Sequence, residues 1–417
     1  MDEESSGFDL ATLERSLPPL NADSGNAPSS SITKPASELD EDEVRRILTA
    51  SPLIVTESNR HILEPAMYNA EKYAKESDQY YEKIEELNAT LPDEEHFFPV
   101  NLLPHFPEPA NFFPWYGIYR MSDTNPTSLR NKRFTEPGEF DYPVFSMLQI
   151  LSVRFAGNFP GDQSMLVYGL VAIRDELDSM RNYIFNRSRE QPHRITPDSP
   201  TLPLLSPARG NSILDGCLLE YSLKVKTNVS DDTKKDFEII DGCIEFNPDF
   251  VPHGVELKSR IYGSLGPVDI HYAFIEHGIE ATIDIEISKV VPNYKLKVVT
   301  AYTDGYPDGI VVYDSMSNLT HGQCPISTVV AVELGCELKL WFDISVNNTR
   351  REIETEGDTQ VQCKDTECFE LMHEDLTVER HYLTFTSQMY SCSTDAIVLG
   401  DKFKLEAIVT WSTMGPA

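Results

Sequence analysis

Alternating apolar and polar residues dominate the chain after residue 143 and predict β-strands. Between residues 279 and 291, apolar side chains alternate with polar ones that include Glu280. Residues 217–226 repeat the pattern with Glu220 in the polar set, and residues 403–411 repeat it again. In such strands one set of side chains faces a core and the other faces water. We therefore expect Glu220 and Glu280 at the surface.

The number of these strands, and the lack of helical periods between them, define the expected fold class. Short strands with one apolar face recur up to residue 411, separated by turn clusters. Without crossover helices, neighbouring strands pair in the antiparallel direction. We expect an all-β domain over residues 143–413, built as an antiparallel two-sheet β-sandwich. The pattern pauses at residues 263–267, which leaves open a division into two sub-domains.

The first 142 residues lack this alternation and divide into three segments. Residues 1–60 are rich in Ser, Asn, Pro and acidic residues, which predicts a disordered acidic tail. Residues 61–90 form a Glu-, Lys- and Ala-rich stretch with one broad apolar face. This predicts a helix that docks on the core or stands alone, binds a partner, or pairs with itself. Residues 91–142 begin with prolines among Phe and Trp, which exclude a helix and predict an extended strap followed by a surface loop.

Charge and targeting features limit the partners and the compartment. The 417 residues carry a formal net charge of −32, which argues against nucleic acid as a partner and against anionic membranes. The sequence shows no secretory signal and no apolar run of the roughly 18 residues that a spanning helix needs. Seven cysteines without a signal indicate free thiols in a reducing compartment. We expect a cytoplasmic or nuclear protein that binds an unknown protein or small ligand.

The stretch from residue 165 to residue 189 combines an apolar strand, an acidic loop and a strand that carries arginines. Residues 165–173 are apolar at both alternating positions, which is typical of a central strand covered on both faces. The candidate functional cluster that follows consists of Arg174, Asp175, Asp178, Arg181 and Arg187. We expect Arg174 and Arg181 to pair with the adjacent carboxylates and to have a structural role.

Two other chemistries remain open for this cluster. Carboxylates on loops at the end of a β-sandwich can bind calcium. The candidate calcium ligands are Asp175, Glu176 and Asp178, joined by Asp231, Asp232 and Asp236. A carboxylate beside an arginine can also act on a ribose or a phosphate, as in an N-glycosidase or another hydrolase.

Metal and catalytic motifs are otherwise sparse. Cys363, Cys368 and His373 follow one another at intervals of five residues, with Cys392 downstream, and form a weak zinc candidate because zinc needs four such ligands and the second half lacks a close pair. Free thiols on an acidic loop are the simpler interpretation. The sequence contains no P-loop, no nucleophile elbow and no H-E-x-x-H motif. We predict no catalytic residue and no cofactor.

Several segments of the β region together form a specific signature. They are VYGLVAIRD at 167–175, RNYIFNR at 181–187, LPLLSPAR at 202–209, LEYSLKVK at 219–226 and the last strand at 403–412. Over about residues 143–413 the chain resembles a plant domain of unknown function, family 6598, which is expanded in grasses. The resemblance implies a β-rich fold without an assigned activity, similar to domains that in some grass proteins follow a ribosome-inactivating N-glycosidase domain. The family supplies no functional residue to carry over.

The sequence therefore favours a non-catalytic β-sandwich that binds a protein or another ligand. A role in defence or stress is implied by the resemblance alone. The alternatives are a hydrolase that uses the acid and arginine cluster, and a calcium-dependent β-sandwich module.

Overall fold

The structure is a computed structural model that describes residues 75–103, 123–127, 144–159, 164–204, 207–214, 216–227, 236–248, 252–304, 306, 309–315, 326–347 and 376–413. The predicted tail at 1–60 lies outside the described residues, as do the start of the predicted helix and most of the predicted strap and loop.

Strands account for most of the described residues. One helix, α1, covers residues 75–88, and a 3-10 turn follows at Asp93–Glu95. The strands are β1 (Asn101–Leu103), β2 (Phe145–Phe155), β3 (Met165–Asp175), β4 (Asn182–Arg187), β5 (His193–Ile195), β6 (Cys217–Val225), β7 (Phe237–Phe246), β8 (Glu256–Tyr262), β9 (Pro267–Val290), β10 (Tyr294–Thr303), β11 (Ile310–Asp314), β12 (Ile326–Glu333), β13 (Glu337–Asn347), β14 (Leu376–Thr386), β15 (Ser391–Leu399) and β16 (Phe403–Ser412).

The strands pair in the antiparallel direction and form three sheets, so the predicted all-β antiparallel fold is confirmed. Sheet one has the order β1-β7-β6-β3-β4, with β5 also beside β3. Sheet two has the order β12-β9-β16-β15, with β2 and β8 also paired to β9. Sheet three has the order β11-β10-β13-β14.

In the part of the chain that the structure describes, two large hydrophobic cores lie between these sheets, and a smaller cluster contains Met147 and Ile275. The first core joins sheet one to β2, β8 and the first half of β9, and it contains Val171 and Phe274. The second core joins sheet three to the second half of β9 and the rest of sheet two, and it contains Ile283 and Phe342. Each core is lined by the apolar set of its strands, as the alternation predicts. The fold is thus a pair of sandwiches that share one strand.

The shared strand is β9, whose 24 residues exceed the usual range of about 3–10 residues. Its first half pairs with β2 and β8, and its second half pairs with β12 and β16. Residues 263–267, where the sequence pattern pauses, form the turn between β8 and β9, because Tyr262 pairs with Pro267. The change from the first core to the second falls further along, near His277.

His277 marks this change with a strained backbone. Its φ is +46°, in the left-handed region that side chains with a Cβ rarely adopt. The side chain is exposed, while its carbonyl accepts a hydrogen bond from the N–H of Leu334 at 3.0 Å. This position therefore requires the left-handed backbone conformation, and it does not require the exposed imidazole.

We expect His277→Gly to be more stable than His277→Ala by about 1 kcal/mol, because glycine adopts the left-handed conformation without the steric cost that alanine keeps. Urea unfolding of the two variants beside the wild type measures the difference. In an ordinary strand glycine is the less stable of the two by about 0.5–1 kcal/mol. If His277→Gly were likewise less stable than His277→Ala, no strain would be stored at this position.

α1 docks on the first core, which was one of the roles open for the predicted helix. Tyr80 and Ile84 are buried there. After the helix, the Asn88 side chain donates to the carbonyl of Phe97 at 2.9 Å and accepts from its N–H at 2.8 Å. The N–H of Phe98 donates to the carbonyl of Lys258 on β8 at 2.8 Å. Within the described part of the chain, no helix is long and apolar enough to cross a membrane.

Candidate functional site

β3 is an interior strand of sheet one and brings two of the predicted site residues into the interior. It lies between β6 and β4, and Ile173 is fully buried. Gly169 permits the close approach of β6: its φ is +120°, and a Cβ would lie 1.9 Å from the carbonyl oxygen of Ser222. Arg174 and Asp175, at the end of the strand, are both buried.

One buried carboxylate, that of Glu220 on β6, pairs with both predicted arginines. Nε of Arg174 donates to Oε2 of Glu220 at 3.0 Å, and Nε of Arg181 donates to the same oxygen at 2.9 Å. Nη2 of Arg181 donates to Oε1. Burial by itself lowers the pKa of Arg181, but the hydrogen bonds and the charge of Glu220 outweigh it and raise that pKa. Both arginines thus pair with a carboxylate as expected, although the one they share is Glu220 and not a member of the adjacent loop.

The prediction that Glu220 faces water is wrong, since the residue has no exposed surface. Arg174 is equally buried, and each of its two Nη atoms donates to a backbone carbonyl. Nη1 donates to the carbonyl of Ser179 and Nη2 to that of Asp123, both at 2.7 Å. The segment at 123–127 and the loop after β3 therefore cover the face of β6 that the alternation assigns to solvent.

Asp175 forms the second ion pair of the cluster, with Arg209. Nη1 of Arg209 donates to Oδ2 at 2.6 Å and Nη2 donates to Oδ1 at 2.8 Å. The N–H groups of Leu177 and Asp178 also donate to Oδ1, at 3.2 and 3.0 Å, and that of Ser212 donates to Oδ2 at 2.9 Å. Such a bidentate arginine contact together with backbone donors satisfies a carboxylate fully.

The other loop acid of the predicted cluster, Asp178, bonds within the same structure. Its Oδ1 accepts from the N–H of Met180 at 3.0 Å, and its Oδ2 accepts from Oγ1 of Thr127. Its carbonyl accepts from Nη2 of Arg209 at 3.0 Å. Asp178 therefore closes the loop over Arg209.

Two further acids complete the cluster. Glu280 on β9, which the sequence places at the surface, is buried, so that prediction is also wrong. Its Oε2 accepts from the N–H of Gly210 at 2.6 Å, and burial raises its pKa to about 7, against the opposing effects of Gly210 and Arg209. Glu176 accepts from Ser212, and burial, followed by the charge of Asp175, raises its pKa. We name the set Arg174, Asp175, Glu176, Asp178, Arg181, Arg209, Glu220 and Glu280 the buried polar cluster.

The buried polar cluster joins the two sandwiches, and its members are buried except for Glu176 and Asp178, which are half-buried on the loop after β3. Sheet one supplies Arg174, Asp175 and Glu220, and β9 supplies Glu280, while the loop that carries Arg209 lies between them. Raised carboxyl pKa values are a feature of many active sites, but a substrate must also reach them. Here the buried arginines are bonded to Glu220 and Asp175, and the other acids accept hydrogen bonds from backbone N–H or hydroxyl groups, which is the arrangement of a structural network.

Arg187, the fifth member of the predicted cluster, does not join the others. It lies opposite Gly169 at the far end of β4, and burial lowers its pKa. Among the described residues, none accepts a hydrogen bond from its buried Nε. The charge of Arg187 in turn contributes, after burial, to the lowered pKa of His193.

The candidate calcium ligands are divided between two ends of sheet one. Asp236 bonds Oη of Tyr168 at 2.7 Å and Arg189 at 2.5 and 3.1 Å. Tyr168 and Asp175 lie seven residues apart on β3, which corresponds to about 23 Å along a strand. Asp231 and Asp232 lie outside the described residues.

The zinc candidate falls mostly outside the described residues, which include neither Cys363 nor Cys368 nor His373. Cys392 is an exposed free cysteine on β15. The described residues contain no group of three or more His, Cys, Asp or Glu side chains placed to hold a metal ion.

A second candidate site, which the sequence analysis does not identify, lies on the outer face of sheet three. Tyr302, Trp341 and Tyr382 occupy adjacent strands β10, β13 and β14. The rings of Trp341 and Tyr382 stack with centroids 5.5 Å apart, and those of Tyr302 and Trp341 meet edge to face at 6.1 Å. The guanidinium of Arg380 lies 5.6 Å from the centre of the Trp341 ring. We name these four residues the aromatic surface.

An open groove of about 600 Å³ runs beside the aromatic surface. Its walls include Tyr302, Tyr306 and Trp341, with Asp304, Lys339 and Arg380 among the polar groups. The charged groups are already paired: Nε and Nη2 of Arg380 donate to Asp343 at 2.6 and 3.0 Å. Lys339 lies 3.0 Å from Glu337 and 3.8 Å from Asp304.

The sequence predicts strands throughout residues 143–413, which include the three strands of the aromatic surface, but it does not predict their order. Trp341 and Tyr382 are directly opposite in the β13–β14 register, although a long connection separates the two strands in the chain. Each aromatic residue lies at an outward position of its own strand, and the alternation of apolar and polar residues identifies these outward positions. Which outward aromatic residues become neighbours depends on pairing that one sequence does not disclose.

Comparisons with known proteins identify a family and little else. A family model described as "Domain of unknown function (DUF6598)" matches residues 147–379. No curated protein matches the chain. Matching solved structures include human GIVD cytosolic phospholipase A2, at 11% identity and a TM-score of 0.19, and the same enzyme in complex with methyl gamma-linolenyl fluorophosphonate, at 10% and 0.20. These matches cover 64% of this chain and 32% of the phospholipase chain, and TM-scores this low support no inference about fold or function.

Proposed function

The chain belongs to the family described as a domain of unknown function, DUF6598, and from this premise we propose that it is a non-catalytic binding module whose ligand contacts the aromatic surface. The observation that carries the proposal is the row of rings on sheet three, with Tyr382 exposed and Tyr302 and Trp341 half-buried, beside an open groove. Tyr and Trp side chains combine a large apolar area with a polar group, and with Arg they are the residue types enriched at binding hot spots.

The buried polar cluster supports a binding role over a catalytic one. A hydrolase would need Glu176, Glu280 or Asp175 to contact a substrate, but Asp175 and Glu280 are buried, Glu176 is half-buried, and all three accept hydrogen bonds inside the protein. The arginines instead pair with Glu220 and Asp175, and the hydrogen bond from the N–H of Gly210 to Glu280 links the loop at 207–212 to β9. The alternative hydrolase predicts that Glu280→Gln, which removes an acid with a pKa near 7, abolishes turnover.

We also place the protein in the cytoplasm or nucleus. Cys217, Cys243, Cys336 and Cys392 are free thiols, and free thiols are typical of reducing compartments. A role in defence or stress stays a prediction from the resemblance, and calcium dependence stays an alternative for the acids of the loop after β3.

A retention experiment tests the binding proposal. Full-length wild type, the double variant Trp341→Ala/Tyr382→Ala and the control Val398→Ser are immobilised, and each is exposed to an extract of the source organism. Val398 is an exposed apolar residue on β15, in another sheet, so it controls for a general loss of surface hydrophobicity. We expect the wild type and Val398→Ser to retain a component that the double variant loses.

Protein and non-protein components of the retained fraction are both identified, because the proposal does not depend on the ligand class. Thermal unfolding of the three forms is compared first, so that a folding defect is recognised. Retention that is identical in all three forms, or absent from all three, would show that the aromatic surface is not a binding site.

A further inference from the structure

We infer that the aromatic surface binds a neutral saccharide. This inference rests on the proposed binding function and names its ligand class. It follows from the shape of the surface, from its charge balance and from the polar groups around the rings.

The shape favours a small ligand that enters a groove. A groove of about 600 Å³ lies within the range of about 300–1,000 Å³ found for small-molecule sites. Tyr302 and Trp341 form adjoining walls, because their ring planes meet at 68°. Tyr382, on the edge strand β14, adds a ring that is 62% exposed. The flat apolar faces of sugar rings fit against aromatic rings, which bury them without needing a hydrogen bond at the ring face.

The charge balance disfavours a charged ligand of either sign. Arg380 and Asp343 already form a two-bond ion pair, and Lys339 lies between Glu337 and Asp304. A phosphate or carboxylate ligand would have to break these pairs, and the formal charge of −32 on the chain would oppose its approach. A cationic ligand would meet Arg380, which already lies over the Trp341 ring. A neutral ligand breaks no ion pair, and it meets Arg380 as a hydrogen-bond donor without charge repulsion.

The polar groups match a ligand rich in hydroxyls. Lys339 and Arg380 supply N–H donors, Asp304 and Asp343 supply acceptor oxygens, and the tyrosine hydroxyls supply both. Carboxylates held in ion pairs keep lone pairs for further bonds. A sugar ring that stacks on an aromatic side chain presents its hydroxyls at the ring edge, where such paired groups can reach them.

A protein partner is the main competing occupant, because Trp, Tyr and Arg are also the residues of protein hot spots. Such an interface buries about 800 Å² on each partner around an apolar centre. Beyond its rings, the outer face of sheet three presents mainly polar side chains, and its exposed aliphatic residues among those the structure describes are Val311 and Val378, on the opposite edge strands β11 and β14. Neither valine lines the groove, so the apolar side chains at the groove itself are the rings, as saccharide stacking requires.

Titration with defined oligosaccharides tests the inference. The probes are neutral hexasaccharides of glucose, xylose and mannose, with a galacturonic acid hexasaccharide of the same length as the charged comparison. Calorimetry and tryptophan fluorescence are measured on the full-length chain. We expect at least one neutral probe to bind, more tightly than the acidic one, and to change the emission of Trp341. That emission is isolated as the difference from Trp341→Phe, because the chain has two further tryptophans, Trp115 and Trp411.

Matched variants locate the site. Trp341→Ala should weaken binding about tenfold or more, equivalent to about 1.4 kcal/mol, while Trp341→Phe, which keeps a ring, should weaken it less. Val398→Ser should bind like the wild type. Binding that is unchanged in both Trp341→Ala and Tyr382→Ala would overturn the inference, because the saccharide would then occupy another place.

The remaining outcomes separate this inference from the proposed function. If no probe binds at millimolar concentration but the retention experiment still depends on Trp341 and Tyr382, the saccharide inference fails and the binding module keeps a protein ligand. If Trp341 emission, isolated as the difference from Trp341→Phe, is protected from a small neutral quencher, another segment of this chain covers the surface. That result would contradict both proposals.

Discussion

Glu220→Gln is expected to lower the free energy of unfolding by about 3–5 kcal/mol, the range for removing one partner of a buried charge network. The carboxylate of Glu220 is the shared partner of Arg174 and Arg181, all three are buried, and both hydrogen bonds to Oε2 lie at 2.9–3.0 Å. Glutamine keeps the volume and one acceptor oxygen but removes the negative charge. Two guanidinium groups then stay buried without a compensating negative charge. Neither can become neutral by losing a proton, because arginine stays charged in proteins. Urea unfolding gives the difference.

Asp343→Asn provides the matched control for this prediction. Asp343 also pairs with an arginine through two hydrogen bonds, at 2.6 and 3.0 Å, but Arg380 is exposed. Its loss should cost less than about 1 kcal/mol, because solvent screens an exposed pair. Similar costs for the two variants would show that the buried polar cluster does not depend on its charge balance.

A double variant keeps the prediction testable if Glu220→Gln folds poorly. Arg181→Gln removes one of the two uncompensated charges, so Glu220→Gln/Arg181→Gln should be destabilised by less than the sum of the two single changes. Neighbouring charges commonly show coupling energies of about 0.5–3 kcal/mol. Additive costs would mean that Arg181 and Glu220 act independently.

The strands followed from local patterns, whereas the interior charges did not. Apolar alternation at 217–226 marked β6, and alternation at 279–291 marked the second half of β9 but not the first half, which begins at Pro267. The alternation indicates strands because side-chain direction in a strand has a period of two. The same rule assigned Glu220 and Glu280 to solvent, and both are buried. The segment at 123–127 and the loop at 207–212 cover these two glutamates. Neither segment has a periodic pattern in its sequence. An apolar position indicates burial, but a charged position does not indicate exposure when a distant loop supplies its partner.

The choice of ion-pair partners shows the same limit. Arg174 and Arg181 are close in sequence to Asp175, Glu176 and Asp178, so adjacency favoured those acids. The register of β3 and β6 instead places Glu220 opposite Ala172. In the sequence Glu220 is 46 residues from Arg174 and 39 residues from Arg181. Sheet pairing thus determined the partner, as it also determined which aromatic residues meet on sheet three.

Glu280 should make the stability of the protein fall as the pH rises from about 4.5 to about 7. The pKa of this carboxyl is 4.5 in the ordinary state and about 7 in the folded protein, because burial disfavours the charge. Between these values the folded state keeps a proton that the unfolded state has lost, so each increase in pH favours unfolding. At about 1.4 kcal/mol per pKa unit, the loss approaches about 3 kcal/mol and is complete above pH 7.

Glu280→Gln isolates this contribution, because other groups, among them Glu176 with its raised pKa, also titrate in this window. Glutamine keeps an acceptor for the N–H of Gly210 and leaves the bond between Arg209 and Asp175 in place. The stability of the variant relative to the wild type should rise by up to about 3 kcal/mol between pH 4.5 and pH 8, measured by urea unfolding at each pH. A constant difference across that range would mean that Glu280 is ionised in the fold and compensated by Arg209, whose pKa the nearby acids raise despite burial. The buried polar cluster would then be a fully charged network, and the proton assigned to Glu280 would not exist.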